Sequence, residues 1–429
     1  MLEVNALVKD EVFSSRFFIF KGGKLDDRSK FPLDEKCRDL LSLIMCLHYV
    51  ECQEPSHQKL LMKTYFVDEF NAIKHELESL LFLLTNRSIE LIFEPRLPTG
   101  SQVTLNSVEP KEPILFSGGV DSVAGAMKFV SENRKNVLIH IESSKQIFGK
   151  VRKILSGEFL RDTETFCVSC RIKSRRHLSF FSDTRGLLYL TVGYVVSKYI
   201  NCMKLIFCEN GAQMLDVMLG SMAYNNAIAT KNTNLKYLVL VENLLSRFEG
   251  NRFMVEYPFK NNTKSESISR YLRPALVEKA WSCYSGRGRK SMCGSCWNCF
   301  VTKMSGLAAG IPSQSLRFNT DPLTDSLASP LYLDNQRILY NLMVFYEKVV
   351  NGNSSVVEEL RRYKNWFEDP VGLATRFGLD LFLGISVSLS STKARNGLGR
   401  KAYELLSKID RPLLRDRKEY LMSLKKSSM

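Results

Sequence analysis

No run of 18 or more apolar residues occurs in the 429-residue chain, and Met1-Leu2-Glu3-Val4 does not begin a signal peptide. A soluble, cytoplasmic protein with no membrane partner is therefore expected. Histidine is scarce, at five residues, and the spacing of His48, His57 and His75 relative to Cys37, Cys46 and Cys52 matches no metal pattern; core or surface roles are expected for them. An even, densely spaced cysteine set is also missing. The eleven cysteines are an odd number in a long chain, which argues against a disulfide framework and for thiols and metal. Acidic residues fall short of basic ones by 45 to 60, giving a net charge of +15. That charge favours anionic partners, but it is spread along the chain and implies no dedicated nucleic-acid groove. Hydrophobic content of 45% is enough for real cores, and the length suggests two or three domains.

Strand-and-helix patterning divides the chain into residues 1–110, 111–312 and 313–429. In the first part, Val12–Lys21 reads as a strand, Asp39–Val50 and Val67–Leu84 as helices, and Ser88–Phe93 as a strand. Together they predict an α+β module, and Pro98–Pro113, rich in Pro, Gly, Ser and Thr, reads as the linker that follows. From Glu112 strands and helices alternate. Pro113–Phe116, Val137–Glu142, Thr165–Ser169, Lys204–Cys208 and Phe253–Tyr257 are expected strands. Asp121–Asn133, Phe148–Arg161, Asp183–Tyr199 and a segment from Thr263 are expected helices. This alternation predicts a parallel sheet with helices on both faces, binding ligands beyond the carboxyl ends of its strands. The last part reads as helical over Leu331–Val350 and Val356–Phe367. The apolar stretch Pro370–Ser390 reads as a core or docking helix broken by Gly378 and Gly384, and Arg411–Lys426 as a solvated basic end.

Within the alternating part, Ile114-Leu115-Phe116-Ser117-Gly118-Gly119-Val120-Asp121-Ser122 joins a strand to a helix through two glycines. Positive φ at both glycines would turn the backbone, and amides at the helix start would then face one concavity suited to a phosphate-like anion. Ser117 and Ser122 add hydroxyls, and Asp121 is placed to cap amides or hold a magnesium ion. No Gly-Lys-Ser/Thr follows, so this is not a Walker loop. Other candidates at strand ends are His140–Ser144, Glu209 and Asn210. Lys264 lies inside the run Thr263-Lys264-Ser265-Glu266, which is also a capping box. Arg185, at a helix start, is a further candidate anion ligand.

A second cluster is Trp281-Ser282-Cys283-Tyr284 followed by Cys293-Gly294-Ser295-Cys296-Trp297-Asn298-Cys299, with spacing C-x9-C-x2-C-x2-C. Cys283, Cys293, Cys296 and Cys299 suit a closed tetrahedral zinc site, with an iron–sulfur cluster as the other occupant of such ligands. The basic run Ser285–Lys290 between them would lower thiolate pKa. Cys167 and Cys170 form a separate C-x2-C pair that reads mainly as buried small hydrophobes.

The Ser-Gly-Gly-x-Asp-Ser run resembles the signature of the PP-loop ATP pyrophosphatases. Joined to the cysteine motif about 160 residues later, it is similar to the QueC family, the 7-cyano-7-deazaguanine (preQ0) synthases, over roughly Pro113–Pro312. The resemblance implies an adenine nucleotide alpha hydrolase-like, Rossmann-like α/β core. It implies that Ser117, Gly118, Gly119, Asp121 and Ser122 bind ATP phosphates, to which the strand-end and helix-start positions add Val120, Arg185, Glu209 and Asn210 as candidate cofactor ligands, with Mg2+ on Asp121. Catalysis would then fall to Ser117, Asp121 and Ser122, with Lys264 as a further candidate from its place at a strand's carboxyl end, and the resemblance puts Zn2+ on the four cysteines. The implied reaction adenylates the carboxylate of 7-carboxy-7-deazaguanine, after which an amine displaces AMP to give an amide and then a nitrile. Typical members are about half this length, and after the second strand they carry an aromatic-Gly-Gln-basic-His order that Glu142–Phe148 lacks. With its added N-terminal module, in which the Asp39-Leu40-Leu41 helix and Leu80–Phe93 take part, the chain is similar to QueC-like proteins of antiphage operons such as the Qat and type IV CBASS systems. There the acceptor amine could belong to a protein of the same operon. The competing expectation is a PP-loop tRNA-modifying enzyme that adenylates a base and inserts sulfur through Cys167 or Cys170, a use of nucleic acid that the cysteine motif disfavours.

Overall fold

The structure, a computed structural model, describes residues 2–9, 13–21, 24–27, 33–52, 59–96, 111–142, 145–157, 160, 163–172, 184–218, 233–280, 282–283, 292–294, 296–316, 318–323, 325, 330–390 and 397–426. The expected linker at 98–110, His57, Ser143, Ser144, Asp183, Trp281, Tyr284, the basic run 285–290 and Ser295 lie outside them, as do the side chains of Cys52 and Cys170.

The first hundred residues supply β1 (Leu2–Glu3), α1 (Val4–Lys9), β2 (Phe13–Lys21), β3 (Lys24–Asp27), α2 (Glu35–Cys52), β4 (Lys59–Thr64), α3 (Val67–Thr85) and β5 (Glu90–Pro95). Helix α3 buries Phe70, Ile73, Leu77, Leu80, Leu81 and Leu84, a 3–4 residue spacing that keeps one face apolar. It stops at Asn86, which takes the left-handed conformation (φ 55°). Strands β1, β4 and β5 form a small parallel sheet. Strand β2 goes elsewhere, as described below.

The next part supplies β6 (Glu112–Leu115), α4 (Val120–Ser131), β7 (Asn136–Ile141), α5 (Lys145–Leu155), β8 (Glu164–Ile172), α6 (Arg185–Tyr199), β9 (Lys204–Ile206), α7 (Gly211–Met218), α8 (Leu235–Glu249), β10 (Met254–Glu256), α9 (Lys264–Tyr271), α10 (Pro274–Lys279) and α11 (Trp297–Ala308). All five expected strands are present. The large sheet has the order β10-β9-β6-β7-β8-β2-β3, with β6 to β10 parallel and β2 and β3 added antiparallel at the β8 edge. It therefore takes strands from both sides of residue 110. Helix α6 is apolar almost all round, and eleven of its own residues between Gly186 and Ser197 are buried. The chain moves outward from β6 through β7 to β8, then returns to place β9 on the other side of β6. That reversal opens a crevice between the carboxyl ends of β6 and β9, where doubly wound sheets bind ligands.

The C-terminal part is helical: α12 (Pro330–Val350), α13 (Ser354–Arg361), α14 (Pro370–Ser390), α15 (Gly397–Leu406) and α16 (Arg411–Lys426). Three expectations change here. The helix expected over Val356–Phe367 ends at Arg361 and continues as turns. Gly378 and Gly384 do not break α14. A Cβ at Gly384 would lie 2.3 Å from the Met304 carbonyl, so the glycine permits α14 to cross α11 at backbone contact. Among the described residues α14 is the one helix long and apolar enough to cross a membrane, and it is mostly buried inside the protein. Nor is Arg411–Lys426 a solvated end, because it is a helix packed on α9 and α14 with Arg417 buried.

Candidate active site and cysteine cluster

The cradle follows β6 directly. Gly118 has φ +78°, and a Cβ there would meet Val151 of α5 at 2.6 Å, so the turn requires glycine. Gly119 is extended (φ −76°, ψ 165°) and caps α4, so one positive-φ glycine, not two, makes the turn. The Gly119 N–H donates to Ser117 Oγ (3.2 Å) and Ser122 Oγ donates to the Gly119 carbonyl (2.9 Å). The two hydroxyl oxygens are 3.2 Å apart. His140, in β7, supports the turn from below. Its Nδ1 donates to the Phe116 carbonyl (2.9 Å), its ring stacks on Phe148, and burial pushes its pKa down to about 4, which keeps it neutral.

Three strand ends meet at Asp121. Its Oδ2 pairs with Lys264 Nζ at 2.5 Å, and its Oδ1 accepts from Asn210 Nδ2 at 3.1 Å. Asn210 Nδ2 also donates to Glu209 Oε1 (3.2 Å), while Asn210 Oδ1 accepts the Gln213 N–H (2.9 Å). The last contact fixes the amide so that its NH2 faces both carboxyl groups. Burial first, and then the negative charge of Asp121, push the Glu209 carboxyl up to about 8, against the opposing pull of Lys264. Two carboxyl groups bridged by the Asn210 amide suit an oxygen-liganded divalent cation such as Mg2+.

Lys264 is 3% exposed and occupies the first turn of α9. The expected capping box forms around it: the Thr263 N–H donates to Glu266 Oε2 (2.9 Å) and the Glu266 N–H to Thr263 Oγ1 (3.3 Å). The same two residues bind a buried ionic network from the C-terminal helices. Arg417 Nη1 pairs with Glu266 Oε1 (2.9 Å), and its Nε and Nη2 make a two-pronged contact with Asp380 (2.7 and 3.0 Å). Asp380 in turn accepts from Thr263 Oγ1 (2.5 Å). Both roles expected of the Thr263–Glu266 run, cap and cation carrier, therefore coexist.

Arg185 is placed differently. It opens α6 next to Thr184, whose N–H donates to Glu51 Oε2 (2.9 Å) and whose hydroxyl contacts His48 Nδ1 (3.0 Å). Its guanidinium lies 5.9 Å from the Tyr189 ring and, after burial, helps hold the His48 imidazole of α2 down at about 4. The structure thus brings Lys264, Glu209 and Asn210 to Asp121, and Arg185 to α2.

The sulfurs of Cys283, Cys293, Cys296 and Cys299 lie within 4.8 Å of one another, and all four residues are buried. Gly294 has φ +82°, and a Cβ there would overlap the Thr320 carbonyl, so the tight turn between two ligands requires glycine. The Cys293 N–H donates to Cys283 Sγ (3.4 Å) and the Cys296 N–H to Cys293 Sγ (3.3 Å); Cys296 caps α11 and Cys299 lies in its first turn. Hydrogen bonding with Cys283 above all pulls the Cys293 thiol far below its ordinary value and pushes Cys296 and Cys299 far above theirs. Such a proton-sharing quartet fits replacement of its protons by one dication with no open position, as in a structural zinc site.

One site contact was not foreseen. The Val120 N–H, the first amide of α4, donates to Ser282 Oγ at 3.3 Å, so the cysteine motif reaches the cradle across 162 positions. Helix α5 also links the two places. Its Val151 packs against Gly118, and its Lys150, lowered to about 8 chiefly by burial, feels the Cys283 thiol.

Residues 160–309 match the family model described as queuosine biosynthesis protein QueC. That segment contains Glu209, Asn210, Lys264 and the cysteine quartet, and it begins after the Ser117–Ser122 cradle. No curated protein and no solved structure matches the chain. The α/β core is consistent with a PP-loop, Rossmann-like sheet, and residues 160–309, about a third of the chain, are similar to the QueC family.

Proposed function

We propose that the chain is an AMP-forming ligase that adenylates the carboxylate of a 7-carboxy-7-deazaguanine-like acid and passes it to an amine. The observation carrying this reading is the convergence of the cradle, the Asp121–Lys264 pair and Glu209–Asn210 at the switch point of a sheet whose later part matches QueC. The amides and hydroxyls of residues 117–122 would take the β,γ-phosphates of ATP, leaving the α-phosphorus facing the crevice. A carboxylate oxygen attacks that phosphorus, the bond to the β-phosphate oxygen breaks, and pyrophosphate leaves. An amine nitrogen then attacks the acyl carbon, AMP leaves with the former carboxylate oxygen, and the nitrogen loses a proton to give an amide. Loss of water from that amide, driven by a second ATP, gives the nitrile. Lys264 offsets charge on the phosphate oxygens once Asp121 turns to the cation, and positioning with charge neutralisation supplies most of the rate. Mg2+ on Asp121 and Glu209 would screen the phosphates, and Zn2+ on the four cysteines would hold the fold and contribute no reacting position.

We further propose that residues 111–312 carry this chemistry between an N-terminal module, 1–110, and a helical region, 313–429. The setting would be cytoplasmic antiphage defence, with a protein of the same operon as one source of the amine. The sulfur-transfer alternative loses support at Cys167. It is fully buried in β8 and its thiol is pushed far up by burial, which disfavours a nucleophilic thiolate. The test is incubation with ATP, Mg2+ and 7-carboxy-7-deazaguanine, with and without ammonium ion or operon partners, following AMP and product mass. Substrate-dependent AMP with an amide, a nitrile or a mass-shifted protein supports the reading. AMP formation indifferent to the acid overturns it.

A further inference from the structure

Ser282 is the hydroxyl around the cradle that the proposed chemistry has not used. Three serine hydroxyls surround the start of α4, and their protons can be assigned. Ser122 gives its proton to the Gly119 carbonyl, so in the 3.2 Å contact with Ser117 it is Ser117 that donates. Ser282 Oγ accepts the Val120 N–H, and among the described residues its own proton has no acceptor. Ser282 thus presents an O–H donor beside the first amide of a twelve-residue helix. It is also bonded directly to Cys283, whose sulfur belongs to the quartet and accepts the Cys293 N–H. One peptide link spans about 3.8 Å between α-carbons, so whatever fixes Cys283 fixes Ser282.

We propose that Ser282 is a phosphate ligand of the nucleotide cradle, held in place by the metal quartet, so that metal occupancy and nucleotide affinity are thermodynamically coupled. The inference rests on the nucleotide reading of the cradle and requires no particular acid substrate. A phosphate oxygen at the α4 N-terminus would take the Ser282 O–H together with the amides. With the quartet empty, Ser282 loses the anchor that Cys283 provides and the cradle loses that donor. Linkage makes the effect reciprocal: bound nucleotide must slow metal loss by the same coupling. The coupling also gives the quartet, which has no open coordination position, a part in substrate binding.

The test uses the full-length, zinc-loaded protein, the nucleotide analogue α,β-methylene ATP with Mg2+, and the variants Ser282→Ala and Ser282→Thr. Calorimetry measures analogue binding, and a chromophoric chelator measures zinc release with and without saturating analogue. Ser282→Ala should keep full zinc and its melting temperature, yet bind the analogue about tenfold more weakly, as for loss of one hydrogen bond to a charged group. Ser282→Thr should restore binding. The analogue should slow zinc release from the wild-type protein and have little effect on Ser282→Ala. Wild-type affinity in Ser282→Ala overturns the proposal, as does loss of zinc from that variant or zinc release indifferent to the analogue. No analogue binding by the wild-type protein would remove the nucleotide reading and this proposal with it. Intact binding and coupling without adenylation of the deazaguanine acid would remove only the substrate assignment.

Discussion

Asp121 is held between a buried ammonium and a fixed amide, and that arrangement sets the sharpest residue-level expectations. Lys264→Met removes the cation without adding bulk, and kcat for AMP formation should fall by about a hundredfold or more, the scale of losing one preorganised charge at a transition state. A circular dichroism melt should show the variant folded. Glu209 gives a pH dependence whose sign can be worked out. Its folded pKa of about 8 lies above its ordinary value of 4.5, so between those values the folded chain carries a proton the unfolded chain has lost. Stability of the nucleotide-free protein should therefore fall as pH rises through that window, and Glu209→Gln should flatten the fall in chemical-denaturation midpoints. Because a cation requires the carboxylate, Mg2+–nucleotide binding near pH 7 should release about one proton. Calorimetry in buffers of different ionisation heat will show it, and no release would contradict the pairing of Glu209 with the cation. The cradle and the quartet were legible in the sequence because each is compact and its residue types fit little else. His140 was legible only as a strand-end residue, and neither its contact with the Phe116 carbonyl nor that of Ser282 with Val120 was legible, since they join positions 24 and 162 apart and carry no local pattern.

At the scale of elements, α9 lies between α4 on one side and α16 on the other, so the turn bearing Lys264 is clamped from the C-terminal region. Arg417 is 5% exposed and Asp380 is fully buried. Replacing Arg417 by Leu leaves Asp380 buried without its counter-charge and Glu266 with Arg376 alone, and should cost about 3–5 kcal/mol in denaturant unfolding. Gly384→Ala should also destabilise, by about 1–3 kcal/mol or more, because the new methyl meets the Met304 backbone and no side chain can yield. Wild-type stability in either variant would show that these crossings are loosely packed. The sequence pointed away from both features. A run of cations at a terminus usually faces water, and two glycines in an apolar stretch usually weaken a helix. Only the partners, Asp380 for Arg417 and Met304 for Gly384, reverse those expectations. Helix α8 went unnoticed for another reason. Its signal is present, with Asn234 as N-cap, Gly250 left-handed at the end, and Leu235, Leu238, Val241, Leu245 and Phe248 on one face, but it stands far from any motif.

For the whole molecule, the large sheet is completed by strands from the first thirty residues. Phe13–Phe20 pairs with Thr165–Ile172 along β8, and β3 covers β2 in turn. Deleting residues 1–32 would bare that β8 edge, and the truncated protein should self-associate or precipitate, as light scattering after size exclusion can measure. A monodisperse monomer would show that the edge needs no cover. Alternation of strands and helices foretold the parallel core, whereas nothing in β2 announced that it would cross to the far edge of another segment's sheet. The metal quartet should bind one zinc per chain, and Cys296→Ala should lose the zinc and lower the melting temperature; retained zinc would refute the site. The central claim is that a carboxylate oxygen attacks the α-phosphorus of ATP at this switch point. It is tested most directly by supplying 7-carboxy-7-deazaguanine labelled with 18O in its carboxylate, together with ATP, Mg2+ and ammonium ion, and weighing the AMP formed. Adenylation followed by amine attack predicts AMP that carries one labelled oxygen. Unlabelled AMP, or ADP in place of AMP, would contradict it.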